Sequence, residues 1–214
     1  GPRPENFSDE IIVPYAIESS LSGVAETLLP VQQLWYKKTF TAQVINGEKR
    51  LLLHFGAVDW ETEVWLNGTR LGGHRGGYVP FSFDITDALR PSGLQELVVA
   101  VWDPTNIGPG AYGKQHLVPH GIRYTPVSGI WQTVWTEVVP ESRVESMISV
   151  TNLAGGDVTL KLKTRGATGS DKLDITVYSG IELVAQGLVT IHENQAELRI
   201  APETLHLWSP DDPF

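Results

Sequence analysis

Apolar and polar positions alternate along this chain in short runs, broken repeatedly by Gly, Pro and Asn-Gly pairs. Runs rich in Val, Ile, Thr, Trp, Tyr and Phe between such breaks predict strands. Residues 35–44 form the first. A turn at Asn46-Gly47 and a second run at 50–55 follow, so the two read as a hairpin. Residues 61–66 alternate and end at Asn67-Gly68, a second strong hairpin turn. Further strands are predicted at 81–85, 96–102 and 131–139. In the last of these Trp131, Thr133, Trp135 and Glu137 share one face. Two tryptophans on that face predict that it packs into the core against an opposing sheet. Only residues 85–90 hint at a helical turn. With 21 Gly and 14 Pro, long helices have little room, and the expected fold class is all-β.

The pattern changes near Pro140. Six of the seven tryptophans precede it, at positions 35, 60, 65, 102, 131 and 135. Lighter, β-branched runs follow at 144–151, 158–163, 174–178, 182–189 and 195–200. Their spacing suggests an Ig-like sandwich, a fold of about 100 residues and usually seven strands. The expected domains are therefore 1–140 and 141–214, with the second cut short at its C-terminus.

Composition narrows the function classes. Sixteen Lys and Arg against 25 Asp and Glu give a net charge of −9, which argues against nucleic acid and anionic membrane as partners. The absence of cysteine excludes disulfides, thiolate metal sites and Cys nucleophiles, while leaving the compartment open. No apolar run is long enough for a transmembrane helix. The chain starts Gly1-Pro2 without Met, which fits a trimmed or processed start.

Several local patterns imitate functional signatures. Residues 108–113 satisfy G-x-G-x-x-G, but Pro109 interrupts the motif and Pro119 and Gly121 forbid the helix it requires. His116 and His120 sit four apart, yet Pro119 breaks the helix that would align them, so they read as a loop pair rather than a metal site. Glu61 and Glu63 share a strand face and read as a solvated edge rather than a glycosidase pair. The sequons at Asn6 and Asn67 arise readily by chance, and Asn67-Gly68 is explained by its turn. More telling is the stretch 103–128, which has four Gly, four Pro and no regular element. Loops of that length are often functional. This one carries Lys114, Gln115, His116, His120, Arg123 and Tyr124, a mixture suited to a polyhydroxylated ligand with apolar CH faces. A domain–domain contact uses the same Arg and Tyr anchors and is the competing reading.

In order along the chain stand Ile12-Val13-Pro14-Tyr15, Trp35-Tyr36-Lys37-Lys38-Thr39-Phe40, Phe55-Gly56-Ala57-Val58-Asp59-Trp60 and Val64-Trp65-Leu66-Asn67-Gly68. His74-Arg75-Gly76-Gly77-Tyr78, Phe81-Ser82-Phe83-Asp84, Gly129-Ile130-Trp131-Gln132 and Leu207-Trp208-Ser209-Pro210 continue the series. This succession resembles the non-catalytic N-terminal region of glycoside hydrolase family 2, which includes β-galactosidases, β-glucuronidases and β-mannosidases. The resemblance implies a jelly-roll, galactose-binding-like sandwich at 1–140, its first strands upstream of Gly1, and a truncated Ig-like sandwich at 141–214. It further implies a retaining exo-β-glycosidase as the parent, with both catalytic glutamates in a downstream barrel. The barrel's acid/base glutamate follows an Asn, and this chain has no Asn-Glu pair, so no catalytic residue is assigned here. No metal and no cofactor are implied. The expected partners are the barrel, a β-linked sugar and, as an open option, a second copy of the chain. The loop before Gly129 corresponds to the segment that reaches the barrel mouth in the family. Arg123, Tyr124, Lys114 and Gln115 are the substrate-binding candidates, active only with the barrel present. Two alternatives stand beside this reading: a stand-alone carbohydrate-binding module, favoured by an aromatic platform among Trp60, Trp65, Trp102 and Tyr112, and a pure scaffold, favoured by their burial.

Overall fold

In a computed structural model, which describes residues 3–43, 45–202 and 206–213, nearly all regular structure is β. The chain divides into two compact units, Gly1–Val139 and Pro140–Phe214. The first contains β1 (Leu34–Phe40), β2 (Lys49–Phe55), β3 (Val58–Asp59), β4 (Glu61–Leu66), β5 (Thr69–Arg75), β6 (Phe81–Asp84), β7 (Gln95–Trp102) and β8 (Gly129–Ile130). It closes on β9 (Val134–Pro140). One sheet has the order β1-β7-β4-β5 and another the order β6-β2-β9, while β3 and β8 form a short ladder of their own.

Strand alternation explains the core. Leu51, Leu53 and Phe55 of β2 are buried, as are Val64 and Leu66 of β4 and Leu97, Val99 and Val101 of β7. Together with Tyr36 and Ile85 they make one apolar cluster. Phe55 is fully enclosed and stacks on Phe81 at 4.9 Å between centroids.

The Asn67-Gly68 hairpin forms as its sequence dictates. Both residues adopt positive φ, 52° and 85°, the conformation a two-residue type I′ turn needs. It joins β4 to β5 in antiparallel register, and Glu61 and Glu63 pair across it with Arg75 and Arg70, both at 2.9 Å. The first expected hairpin does not form. β1 pairs with β7, whereas β2 lies in the other sheet between β6 and β9. Both runs are apolar on one face, and separating them lets those faces meet across the core. Val44 lies outside the described residues. The helical hint at 85–90 proves to be a single 3₁₀ turn, Thr86–Ala88.

The strand expected at 131–139 is also corrected. Pairing begins only at Val134, where β9 starts, while β8 ends at Ile130 before the run, and Trp131 and Trp135 are not paired core residues. Between the two strands, Gly56 donates its N–H to the Thr133 carbonyl at 2.9 Å. A Cβ at Gly56 would collide with the Gln132 side chain. Trp131 turns to donate its indole N–H to the Gly77 carbonyl at 2.7 Å. Trp135 is 44% exposed and lies flat on His54, with ring centroids 4.8 Å apart. Val134 and Val138 instead pack against the core from β9.

The second unit holds β10 (Arg143–Asn152), β11 (Asp157–Arg165), β12 (Lys172–Ser179), β13 (Glu182–Thr190) and β14 (Gln195–Ile200). β10, β11 and β14 form one sheet, and β12 and β13 another. Its buried centre is small: Leu162, Ile191 and Ala196. Asp157, almost fully buried, accepts two hydrogen bonds from the Arg199 guanidinium and fastens β11 to β14.

The two aromatic sites predict different costs. Phe55→Ala should lower the unfolding free energy by about 3–5 kcal/mol through the cavity it leaves. Trp135→Ala should lower it by about 1 kcal/mol, the worth of one surface stack. Urea unfolding followed by circular dichroism measures both, and equal losses would return Trp135 to the core.

Candidate functional site

Residues 103–128 leave the end of β7 and return at the start of β8. Their path is fixed at the two ends by a shared hydrogen bond. The Ser128 hydroxyl donates to Asp103 Oδ2 at 2.6 Å, while the Thr105 N–H, at the start of a 3₁₀ turn (Thr105–Ile107), donates to Asp103 Oδ1 at 2.7 Å. The glycines of the G-x-G-x-x-G run then allow two close approaches. A Cβ at Gly108 would strike the Pro104 ring, and one at Gly110 would strike the Trp60 indole. This is packing chemistry, unrelated to a phosphate cradle.

The tip of the loop is held by a two-stranded bridge. The His116 N–H donates to the Tyr124 carbonyl at 3.0 Å, and the Tyr124 N–H to the Lys114 carbonyl at 2.9 Å. The Leu117 N–H reaches Asn106 Oδ1 at 2.9 Å. His116 and His120 meet edge to face, and each ring bonds the Val118 backbone through Nδ1. Among the described residues no group of three His, Cys, Asp or Glu side chains is arranged to hold a metal ion.

The four candidate residues thus fall close together, but they point differently. Gln115 faces inward: its Oε1 accepts from the Val127 N–H at 2.6 Å, and its Nε2 donates to Asp59 Oδ2 at 3.2 Å and to Tyr78 Oη at 3.4 Å. Tyr124 is 65% exposed, with the Lys114 ammonium 5.8 Å from its ring centroid. Arg123 is half-buried and begins the bridge, its N–H donating to the His120 carbonyl at 3.0 Å. Lys114, Arg123 and Tyr124 therefore present polar and aromatic surface on a loop that Gln115 anchors.

Beneath the loop lies a cluster that reading the sequence does not single out. The Ser128 N–H donates to Glu18 Oε2 at 2.9 Å, bringing the N-terminal segment to the same serine that holds Asp103. Glu18 Oε1 is buried without a hydrogen-bond partner. Asp59, at the end of β3, and Asp103 are only 4% and 3% exposed. Burial, then the Asp103 charge, pushes the Asp59 carboxyl up to about 7 against the opposing hydrogen bond from Gln115, with Glu18 adding a further push. Burial also raises Asp103 and Glu18, partly offset by hydrogen bonds from Ser128 and, for Asp103, from Thr105. Gly77 makes room for Asp59, since a Cβ there would overlap its carboxylate. The one sequence signal was a charged residue inside each of two otherwise apolar runs, 55–60 and 97–104.

The four aromatics that would distinguish a platform from a scaffold are all partly buried and engaged. Trp65 stacks on Trp35 at 5.6 Å, and Trp60 meets Trp102 edge-on at 6.1 Å. The Trp102 indole N–H donates to the Pro30 carbonyl at 2.7 Å. Tyr112 borders the small cavity between Asp59, Asp103 and Gln115.

Comparison with known proteins follows the same segments. The chain is 26% identical over 191 residues to a β-galactosidase of Thermoanaerobacter pseudethanolicus, an alignment covering 84% of this chain and 24% of that protein. It is 30% identical over 114 residues to the β-galactosidase BoGH2A of Bacteroides ovatus, covering 53% of this chain and 12% of that one. The chain thus spans a quarter or less of these relatives. Its fold matches that of Bifidobacterium dentium β-glucuronidase, solved with coumarin-3-O-glucuronide, with a TM-score of 0.70 at 21% identity over 99% of this chain and 39% of that structure. Faecalibacterium prausnitzii β-glucuronidase gives 0.66 at 22% identity, over 100% and 38%. The family model for the glycosyl hydrolase 2 galactose-binding domain-like region matches residues 17–131, from beside Glu18 through β8 to Trp131. That match takes in more than half of the chain and the whole 103–128 loop, and the chain belongs to this glycoside hydrolase family 2 domain family.

Proposed function

We propose that this chain is the accessory N-terminal portion of a retaining exo-β-glycosidase whose catalytic barrel lies elsewhere in the protein. In this reading residues 1–140 are the jelly-roll domain and 141–214 part of the Ig-like sandwich. The 103–128 loop shapes the terminal-sugar subsite at the barrel mouth. Arg123 and Lys114 supply donors to sugar hydroxyls or a uronate carboxylate, and Tyr124 supplies an apolar face for sugar CH groups. Gln115 holds these three in place from beneath, through Val127, Asp59 and Tyr78.

The observation that carries the reading is the family match over 17–131, with an anchored loop inside it that turns Lys114 and Tyr124 outward. Loop chemistry alone would suit a lectin equally well. The engaged state of Trp60, Trp65 and Trp102 weighs against a free-standing aromatic platform. Relatives named β-galactosidase and β-glucuronidase place those two sugars first among the substrates to test.

Two outcomes are expected. The purified 214-residue chain should release no nitrophenol from β-galactosides, β-glucuronides or β-mannosides above a mock preparation. It should also bind galactose and glucuronate more weakly than about 1 mM in titration calorimetry, because half the subsite is absent. In the full-length enzyme, Arg123→Ala and Tyr124→Ala should each lower kcat/KM about tenfold or more, the loss expected for one contact worth about 1.4 kcal/mol in the transition state. Unchanged kcat/KM in both variants would leave the loop a structural role only, and millimolar or tighter binding by the chain alone would favour the lectin-like alternative.

A further inference from the structure

Three carboxyl groups from distant parts of the sequence converge under the 103–128 loop. Asp59 faces Asp103 at the end of β7, Glu18 of the N-terminal segment, and Gln115 of the loop, which also bonds the Tyr78 hydroxyl. The Tyr36 hydroxyl of β1 lies close enough for the Glu18 charge to raise its pKa, and it accepts the Ile130 N–H at 3.1 Å. Two cations on the surrounding elements have other partners, while Arg123, His116 and His120 sit on the same loop, both His rings bonding the Val118 backbone. Arg75 pairs with Glu61 and lies over Trp60, and Lys114 lies over Tyr124. The same groups fasten the loop: Ser128 ties its end to Asp103 and to Glu18, and Gln115 ties its middle to Asp59.

We propose that this cluster is a pH-sensitive latch, closed over the 103–128 loop while Glu18, Asp59 and Asp103 hold a proton among them and loosened when all three are ionised. A protonated Asp59 still accepts the Gln115 N–H through its carbonyl oxygen and places no charge beside Asp103. Ionisation strengthens that one hydrogen bond. It also leaves a buried charge facing two others, and burial outweighs the bond in setting the direction of the shift. The way out is water, which enters only if Gln115 and Ser128 part from their carboxylates. The sign follows from proton counting: these groups titrate higher in the folded state than in the unfolded chain. Their stabilising contribution is therefore full below the ordinary carboxylate range and is lost as pH rises toward the Asp59 value of about 7. The latch stands on the geometry of the chain alone and does not require the sugar-subsite reading.

Amide hydrogen exchange of the 214-residue chain, corrected for the intrinsic pH dependence, tests it. Between about pH 5.5 and about pH 8.5, protection at the His116, Tyr124 and Val127 amides should fall roughly tenfold relative to the amides of β7, as a local opening would give. Asp59→Asn keeps the side-chain shape and removes the ionisation, and should abolish the fall. Glu18→Gln, at a half-buried position that tolerates an amide more readily, should reduce it, so one variant remains informative if the other fails to fold. Three results would overturn the latch. Protection could be independent of pH, could fall equally in β7, or could fall unchanged in both variants. Recovery of protection at the higher pH on adding millimolar Ca²⁺ would also overturn it, in favour of a cation site.

Discussion

The course of the long loop in the first unit depends on how that unit buries charge. Carboxylates in an apolar interior are costly unless donors surround them, and here the donors come from widely separated points on one loop. Thr105, Gln115 and Ser128 each give an N–H or O–H to Asp103, Asp59 or Glu18. Satisfying the carboxyls therefore dictates where the chain must pass at 105, at 115 and at 128. A stretch of 26 residues with only one 3₁₀ turn and one isolated bridge acquires a defined course in this way. The partial compensation leaves Asp59 and its neighbours easier to protonate than free carboxyls, so the arrangement that orders the loop also makes it responsive to protons.

Close approach is the second condition. Gly77 admits the Asp59 carboxylate, Gly110 admits the Trp60 indole, and Gly129, at a φ of 82°, gives the Tyr36 hydroxyl its room. Trp131 adds a clamp by bonding the Gly77 carbonyl, which fixes the turn carrying Tyr78. These contacts explain why glycines crowd the segments 72–77 and 108–113 without any phosphate to bind. They also set the loop's outer face: with its inner side used up by Gln115, the loop turns Lys114 and Tyr124 outward.

The second unit uses a plainer economy of structure. Its small apolar centre is supplemented by the bidentate Asp157–Arg199 pair, which also holds the Asp157 carboxyl below the usual range. Asn152 donates to the same aspartate at 2.9 Å and secures the turn between β10 and β11. Polar bonding across strand ends does here part of what a thicker core does in the first unit.

Local pattern determined the all-β class, the five strands of the second unit within a residue or two, and the Asn67-Gly68 hairpin, since each rests on neighbouring residues. The ordered motifs along the chain pointed to the family before any fold was known, and the span 103–128 stood out by its length and composition. Partnership between distant elements was not legible. Runs 35–44 and 50–55 look adjacent, yet they entered different sheets because two apolar faces gain more by meeting across a core than by lying side by side. Alternation at 131–139 pointed to the tryptophan face as the inward one, whereas in the fold Val134 and Val138 pack against the cluster that holds Leu51, Leu53 and Phe55. Gln115 stood among the candidates for its chemistry, but only the fold turned it inward. Asp59, Asp103 and Glu18 gave no joint signal, because nothing in a linear sequence links positions 18, 59 and 103 until the tertiary structure buries them under one loop, where Ser128 bonds Asp103 and Glu18 and Gln115 bonds Asp59.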